Sequence, residues 1–197
     1  LGKLTLIHPL YWQSLRQKGL ESLQVFHKSY PYKAGIPREV FRSALGLSQM
    51  LFDQVVDRLT EDDLLVQKGS LIWATGHKVV LSAEDEARVA PILAQFQAHP
   101  FSPPDVNQLL VEIGSDLLEG LLSSEKLVAV SDRVLFTPGA LSQMREWVQE
   151  TINNKGDLSL AEFRDHFETS RKYATALLEY FDSTGFTYRK GDVRGLR

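Results

Sequence analysis

A chain of 197 residues with 43% apolar side chains is long enough to bury a real core, as one or two ordinary domains or as several small ones. It has no cysteine, which excludes disulfides, thiol catalysis and cysteine-ligated zinc, and no apolar run reaches the eighteen residues of a membrane span. A net charge of −3 argues against a protein that coats nucleic acid indiscriminately, so any nucleic-acid site must be local.

The chain opens on Leu1-Gly2-Lys3-Leu4-Thr5-Leu6-Ile7, which lacks the charged start and long apolar core of a signal peptide. With zero cysteines, that makes the cytoplasm the expected compartment. Lys3 to Ile7 alternates like a closing strand, and residues 1–8 read as the remainder of a preceding module. The missing initiator Met suggests a fragment of a longer protein, although processing would also remove it.

A helical pattern runs from Pro9 to about Tyr30 through Leu10, Leu15, Leu20, Leu23 and Phe26, and Pro31 ends it. Pro37 starts a second helix, Gly46 to Ser48 makes a turn, and Leu51, Phe52, Val55, Val56 and Leu59 mark a third. Leu64 to Val66 and Leu71 to Trp73 flank Gly69-Ser70, a hairpin signal. Three helices followed by a hairpin make a winged helix.

The same order recurs twice. Ser82 with Asp85 resembles a capping box that opens a helix to about His99. Pro103-Pro104 breaks the chain, Asp105 starts a helix to Ile113, and Gly114-Ser115 is a turn. A third helix carries Leu117, Leu118, Leu121 and Leu122, and strands Leu127 to Val130 and Val134 to Thr137 flank Ser131-Asp132-Arg133. The last repeat begins near Pro138, runs through Trp147 and Ile152 to Gly156, and has a capping box at Ser159 and Glu162. Its third helix starts at the N-cap Ser170 and carries Ala174, Leu177, Leu178 and Phe181. Gly185 stops that helix, and Phe186 to Arg189 and Val193 to Leu196 form a hairpin around Lys190-Gly191-Asp192. The expected fold is therefore mainly α with short β-hairpins, three winged helices at 9–82, 83–137 and 138–197 in an elongated array.

Charge divides unevenly among the repeats: +3 over residues 1–82, −6 over 83–141 and zero over 142–197. Within the last repeat, Ser170 to Arg197 holds six basic and three acidic residues, whereas the 28 residues before it hold three and six. Positive charge thus collects on the start of the last helix and on the wing, the two surfaces with which a winged helix usually meets nucleic acid. Arg171 and Lys172 lie at a helix N-terminus, where backbone N–H groups and the dipole also favour a phosphate. Ser170, Arg171, Lys172, Arg189, Lys190 and Arg194 are the candidate nucleic-acid contacts. Tyr173 and Tyr188, interleaved with them, read either as bases' stacking partners or as packing between helix and wing. Asp192 reads as a turn former.

Chemistry is otherwise sparse. There is no phosphate loop, H-E-x-x-H, G-x-S-x-G or dinucleotide fingerprint. His8, His27, His77, His99 and His166 lack ligand spacing and read as edge or packing residues, so neither a catalytic nor a metal site is expected. Glu61-Asp62-Asp63 reads as a solvated helix end, and Trp12, Trp73 and Trp147 as packing.

The stretches S-R-K-Y-A, L-L-E-Y-F-D and G-F-T-Y-R-K-G-D-V-R, between Ser170 and Arg194, resemble the C-terminal winged helix of the bacterial selenocysteine-specific elongation factors, SelB. Upstream, P-L-Y-W, F-H-K-S-Y-P and G-I-P-R-E-V-F-R are similar to the preceding repeats of that family. The resemblance covers nearly the whole chain, weakest in residues 83–137. It implies four tandem winged helices after a GTP-binding translation-factor portion, the last of them holding the loop of an mRNA hairpin, the selenocysteine insertion element, beside a UGA codon. The chain would then be the last three modules plus a residual strand, with Gly195-Leu196-Arg197 an early or truncated end. It would be a monomeric binding module and not an enzyme, with no cofactor of its own, GTP and Mg belonging to the absent N-terminal portion. The implied partners are the mRNA hairpin, the ribosome through ribosomal RNA, and selenocysteinyl-tRNA through the absent part, with no membrane.

Two other classes compete. A tandem winged-helix DNA-binding regulator would need bases along its third helices, and Met50 to Leu59 and Leu117 to Leu122 offer few. A protein-interaction scaffold fits the acidic middle repeat but leaves the basic final helix and wing unexplained.

Overall fold

The computed structural model describes residues 7–197. The strand expected at Lys3 to Ile7 therefore lies outside the described residues, apart from Ile7. The chain forms two compact units, Leu1–Val80 and Leu81–Arg197.

In the first unit, α1 (Pro9–Ser29) is started by His8, whose Nδ1 accepts the Leu10 N–H at 3.3 Å, and by Pro9. A two-residue strand β1 (Ile36–Pro37) leads into α2 (Arg38–Leu45), and α3 (Gln49–Glu61) follows the turn at Gly46. β2 (Leu65–Lys68) and β3 (Leu71–Ala74) form the wing. β1 adds to its edge as a third antiparallel strand, in the order β1-β3-β2 with Ile36 opposite Ile72. Leu15, Leu23, Phe41, Phe52, Val55, Val56, Leu59 and Ile72 make one buried core. Each such side chain taken from water contributes about 1.5 to 3 kcal/mol. Part of the basic excess of this repeat is engaged within it. Arg38 pairs with Asp53 at 2.5 Å and bonds Gln67, and Arg42 pairs with Glu39 at 2.9 Å. Arg58 likewise holds Glu61 and Asp62 at the end of α3.

The second unit holds the other two repeats. α4 (Ala83–Ala98) is capped by Ser82, whose Oγ accepts the Asp85 N–H at 3.1 Å and donates to the Asp85 carboxylate at 2.7 Å. This is half of a capping box, because the short Asp85 side chain bonds the Ser82 hydroxyl. α5 (Val106–Ser123) is two helical segments that meet at the expected turn, where Gly114 leaves the helical conformation at φ 79° and ψ 168°. Only glycine adopts that backbone without strain. β4 (Val128–Ser131) and β5 (Val134–Phe136) form a two-stranded wing. A third strand is absent here among the described residues. Pro103 and Pro104 precede α5 where β1 precedes α2, and neither has an N–H to give to a ladder.

α6 (Pro138–Lys155), β6 (Leu158–Ser159), α7 (Leu160–His166), α8 (Arg171–Ser183), β7 (Thr187–Lys190) and β8 (Val193–Leu196) complete the chain, with sheet order β6-β8-β7. The capping box at Ser159 and Glu162 forms in full. Lys155, bonded to Glu162 at 2.8 Å, and the Ser159 groups hold that carboxyl down at about 2. Val130, Val134 and Phe136 of the middle wing share one buried core with Met144, Val148, Phe163, Leu177, Leu178 and Phe181. The middle hairpin is thus built into the last repeat. Trp147 packs on this core, stacked on His166 at 4.1 Å and edge-on to Phe163 and Phe167.

Candidate nucleic-acid interface

α8 is the organising element. Ala174, Leu177, Leu178 and Phe181 recur at helical spacing and are buried, which turns Arg171, Lys172, Thr175 and Glu179 toward the surface. Two grooves flank that outer face. One, of about 390 Å³, lies against α7 and the wing and is lined by Arg164, Arg171, Thr175, Glu179, Arg189 and Asp192, among others. The other, of about 650 Å³, lies against the tip of the middle wing and is lined by Asp132, Arg133, Arg171, Lys172, Thr175 and Glu179, among others. Arg171 belongs to both. Its guanidinium has no hydrogen bond or ion pair among the described residues, and it sits in the first turn of a 13-residue helix whose dipole favours an anion.

The expected contacts distribute as follows. Ser170 is the N-cap of α8 by backbone conformation and is exposed, without a side-chain capping bond. Arg189 is exposed on β7 across the first groove from Arg171, its Nε donating to the Gly191 carbonyl at 2.9 Å. Lys190 is exposed at the wing turn. Tyr188 is 43% exposed. Its ring lies on the facing strand at Gly195, where an added Cβ would come within 2.8 Å of it. Glycine is required there for the ring to settle.

Three of the candidate residues have partners within the chain. Arg194 is 5% exposed and donates from Nε to the Asp182 carboxylate at 3.0 Å. Asp182 also accepts from Thr187 Oγ1 at 2.6 Å. One carboxylate at the end of α8 thus grips both wing strands, because a buried guanidinium needs an anionic partner. Tyr173 is half-buried, donates its hydroxyl to the Pro103 carbonyl at 2.7 Å and meets Phe136 edge-on, so it packs the last repeat on the middle one. Lys172 stays on the surface but is ion-paired with Asp105 at 2.6 Å. That ammonium, with the Asn107 N–H, holds the Asp105 carboxyl below its ordinary range.

Arg164 and Arg133, which the sequence reading did not single out, also line the two grooves. Arg164, on α7, pairs with the adjacent Asp165 at 2.6 Å. Arg133, at the turn of the middle wing, is exposed, and its guanidinium has no bonded partner among the described residues. The clue to Arg133 was its place in a wing turn equivalent to that of Lys190. Among the described residues there is no cluster of three or more His, Asp or Glu side chains able to hold a metal, and no helix long and apolar enough to cross a membrane.

Comparison with known proteins gives one family. Two separate family models, each described as the winged helix of elongation factor SelB, match residues 20–72 and 150–196, together half of the chain. The selenocysteine-specific elongation factor of Haemophilus influenzae is 27% identical over 199 residues, 96% of this chain and 32% of that protein. A solved mRNA-binding domain of elongation factor SelB from E. coli, in complex with SECIS RNA, is 27% identical, covering 59% of this chain and 99% of that one, with a TM-score of 0.45. A crystal structure of bacterial selenocysteine-specific elongation factor EF-Sec is alike in fold, with a TM-score of 0.52 at 16% identity over 95% of this chain and 30% of that one. The chain spans about a third of the length of the curated relatives it matches. With SelB winged helices recognised in both of its units and sequence likeness along nearly all of it, the chain belongs to the elongation factor SelB family, as a stretch of that factor's winged helices.

Proposed function

We propose that this chain is the mRNA-hairpin-binding part of a selenocysteine-specific elongation factor, and that the hairpin loop is held on the outer face of α8 and the last wing. The observation that carries the reading is the groove between α8 and the wing, which Arg171 of one element and Arg189 of the other both line. Hairpin loops present closely spaced phosphates and unstacked bases, which suits two arginines and the exposed Tyr188 better than a long duplex would. Family membership supports the choice of RNA over DNA. So does the composition of the third helices of the first two repeats, which carry Asp53, Asp57, Asp116 and Glu119 and little base.

In this reading the chain tethers the GTPase portion of its parent, with its selenocysteinyl-tRNA, beside a UGA codon on the ribosome in the cytoplasm. It acts as a monomer and catalyses nothing itself. Titration of a selenocysteine-insertion hairpin against duplex DNA of equal length, at two salt concentrations, tests it. The hairpin should bind at least tenfold more tightly, and Arg171→Ala should weaken it about fivefold at 0.1 M salt, with the log-log slope flatter by about 0.7. Equal affinity for the two nucleic acids would refute the reading.

A further inference from the structure

The second groove beside α8 is formed by two repeats. One wall is α8 with Arg171, Thr175 and Glu179, and the other is the tip of the β4–β5 hairpin with Ser131, Asp132 and Arg133. The shared core that runs from Val130 and Phe136 to Leu177 and Phe181 packs that hairpin against α8. Lys172 also lines the groove, but its ammonium is held by Asp105. The two guanidinium groups facing the groove, Arg133 and Arg171, have no bonded partner among the described residues. Planar guanidinium groups bind phosphate oxygens in pairs of hydrogen bonds, and two of them on opposite walls make a site for a backbone phosphate.

We propose that the RNA straddles α8, with one part of its backbone in the groove toward the last wing and another in the groove toward the middle wing, where Arg133 holds a phosphate with Arg171. This extends the hairpin-binding reading above and rests on it. It assigns a nucleic-acid contact to the repeat that is most acidic overall, at its wing tip. Asp132 and Glu179 line the same groove. Arg133's charge already reaches Asp105 across the junction, where it adds to the pull of Lys172 on that carboxyl.

The test uses the whole chain and the selenocysteine-insertion hairpin. Arg133→Ala should weaken binding about fivefold at 0.1 M salt and flatten the log-log salt slope by about 0.7, with an unchanged melting temperature. Arg133→Glu should weaken it further, and Arg133→Lys should keep most of the slope. If Arg133→Ala and Arg133→Glu both bind like the parent while Arg171→Ala is weakened, the straddling site is wrong and the α8 site stands. If Arg171→Ala also binds like the parent, the hairpin-binding reading itself fails and takes this proposal with it.

Discussion

Asp182 grips both strands of the last wing, and its removal has a consequence that removing its partner does not. In Asp182→Ala, Arg194 keeps its charge in a site where its side chain is 6% exposed and loses the carboxylate 3.0 Å away. Thr187 Oγ1, on a fully buried residue, loses its acceptor as well. Stranding one ion of a buried pair costs about 3 to 5 kcal/mol. Because the Asp182 side chain is itself 22% exposed, water can reach part of the site, and about 3 kcal/mol is expected. Arg194→Met removes the charge and keeps most of the volume. It leaves a carboxylate that water can reach and that Thr187 still satisfies, so about 1 kcal/mol is expected. Urea unfolding read by Trp147 fluorescence, in a Trp12→Phe/Trp73→Phe background, isolates the second unit. Equal losses for the two variants, or a loss under 1 kcal/mol for Asp182→Ala, would refute the claim that this carboxylate clamps the wing. Because the clamp joins α8 to the wing that carries Arg189, Asp182→Ala should also weaken hairpin binding under conditions where the chain remains folded.

Tyr173→Phe should remove the bond to the Pro103 carbonyl, costing about 1 kcal/mol in urea unfolding with hairpin affinity unchanged where the chain is folded, and a loss of affinity at unchanged stability would return Tyr173 to the RNA surface. Glu162, held at about 2 in the folded state, adds stability that is fully present above its ordinary value of 4.5 and is lost as pH falls toward 2. The stability difference between the parent and Glu162→Gln should therefore shrink over that window, and a difference independent of pH would contradict the capping role. His27 stacks on His77 at 3.4 Å with both ring nitrogens buried and unpartnered, and burial followed by the charge of His77 lowers it from 6.5 to about 4. The unfolded chain then takes up a proton first, so the first unit should lose stability as pH falls from about 7 to about 4. His27→Phe, which keeps a stacked ring, should remove most of that pH dependence in urea unfolding followed by Trp73 fluorescence.

Much of this fold was legible residue by residue. Pro31, Gly46 and Gly156 end helices, Ser159 with Glu162 starts one, and Lys190-Gly191-Asp192 turns the last wing, because caps and tight turns are decided by a few neighbouring backbone groups. The apolar spacing of α8 settled which of its faces is buried, and so which face carries Arg171. Contacts made across distance were not legible. β1 and β6 are two residues long and exist because Ile36 meets Ile72 and Leu158 meets Arg194. Arg194 looked like another wing cation, yet the partner that draws it inside is Asp182 on the preceding helix. Lys172 and Tyr173 are held by Asp105 and Pro103, some seventy residues earlier. A charged or aromatic side chain carries the same local signal whether it meets solvent, RNA or a partner brought close by the fold. Which of these it meets depends on where other segments come to rest, and only the tertiary structure decides that, as it does in placing Arg133 of one repeat across a groove from Arg171 of another.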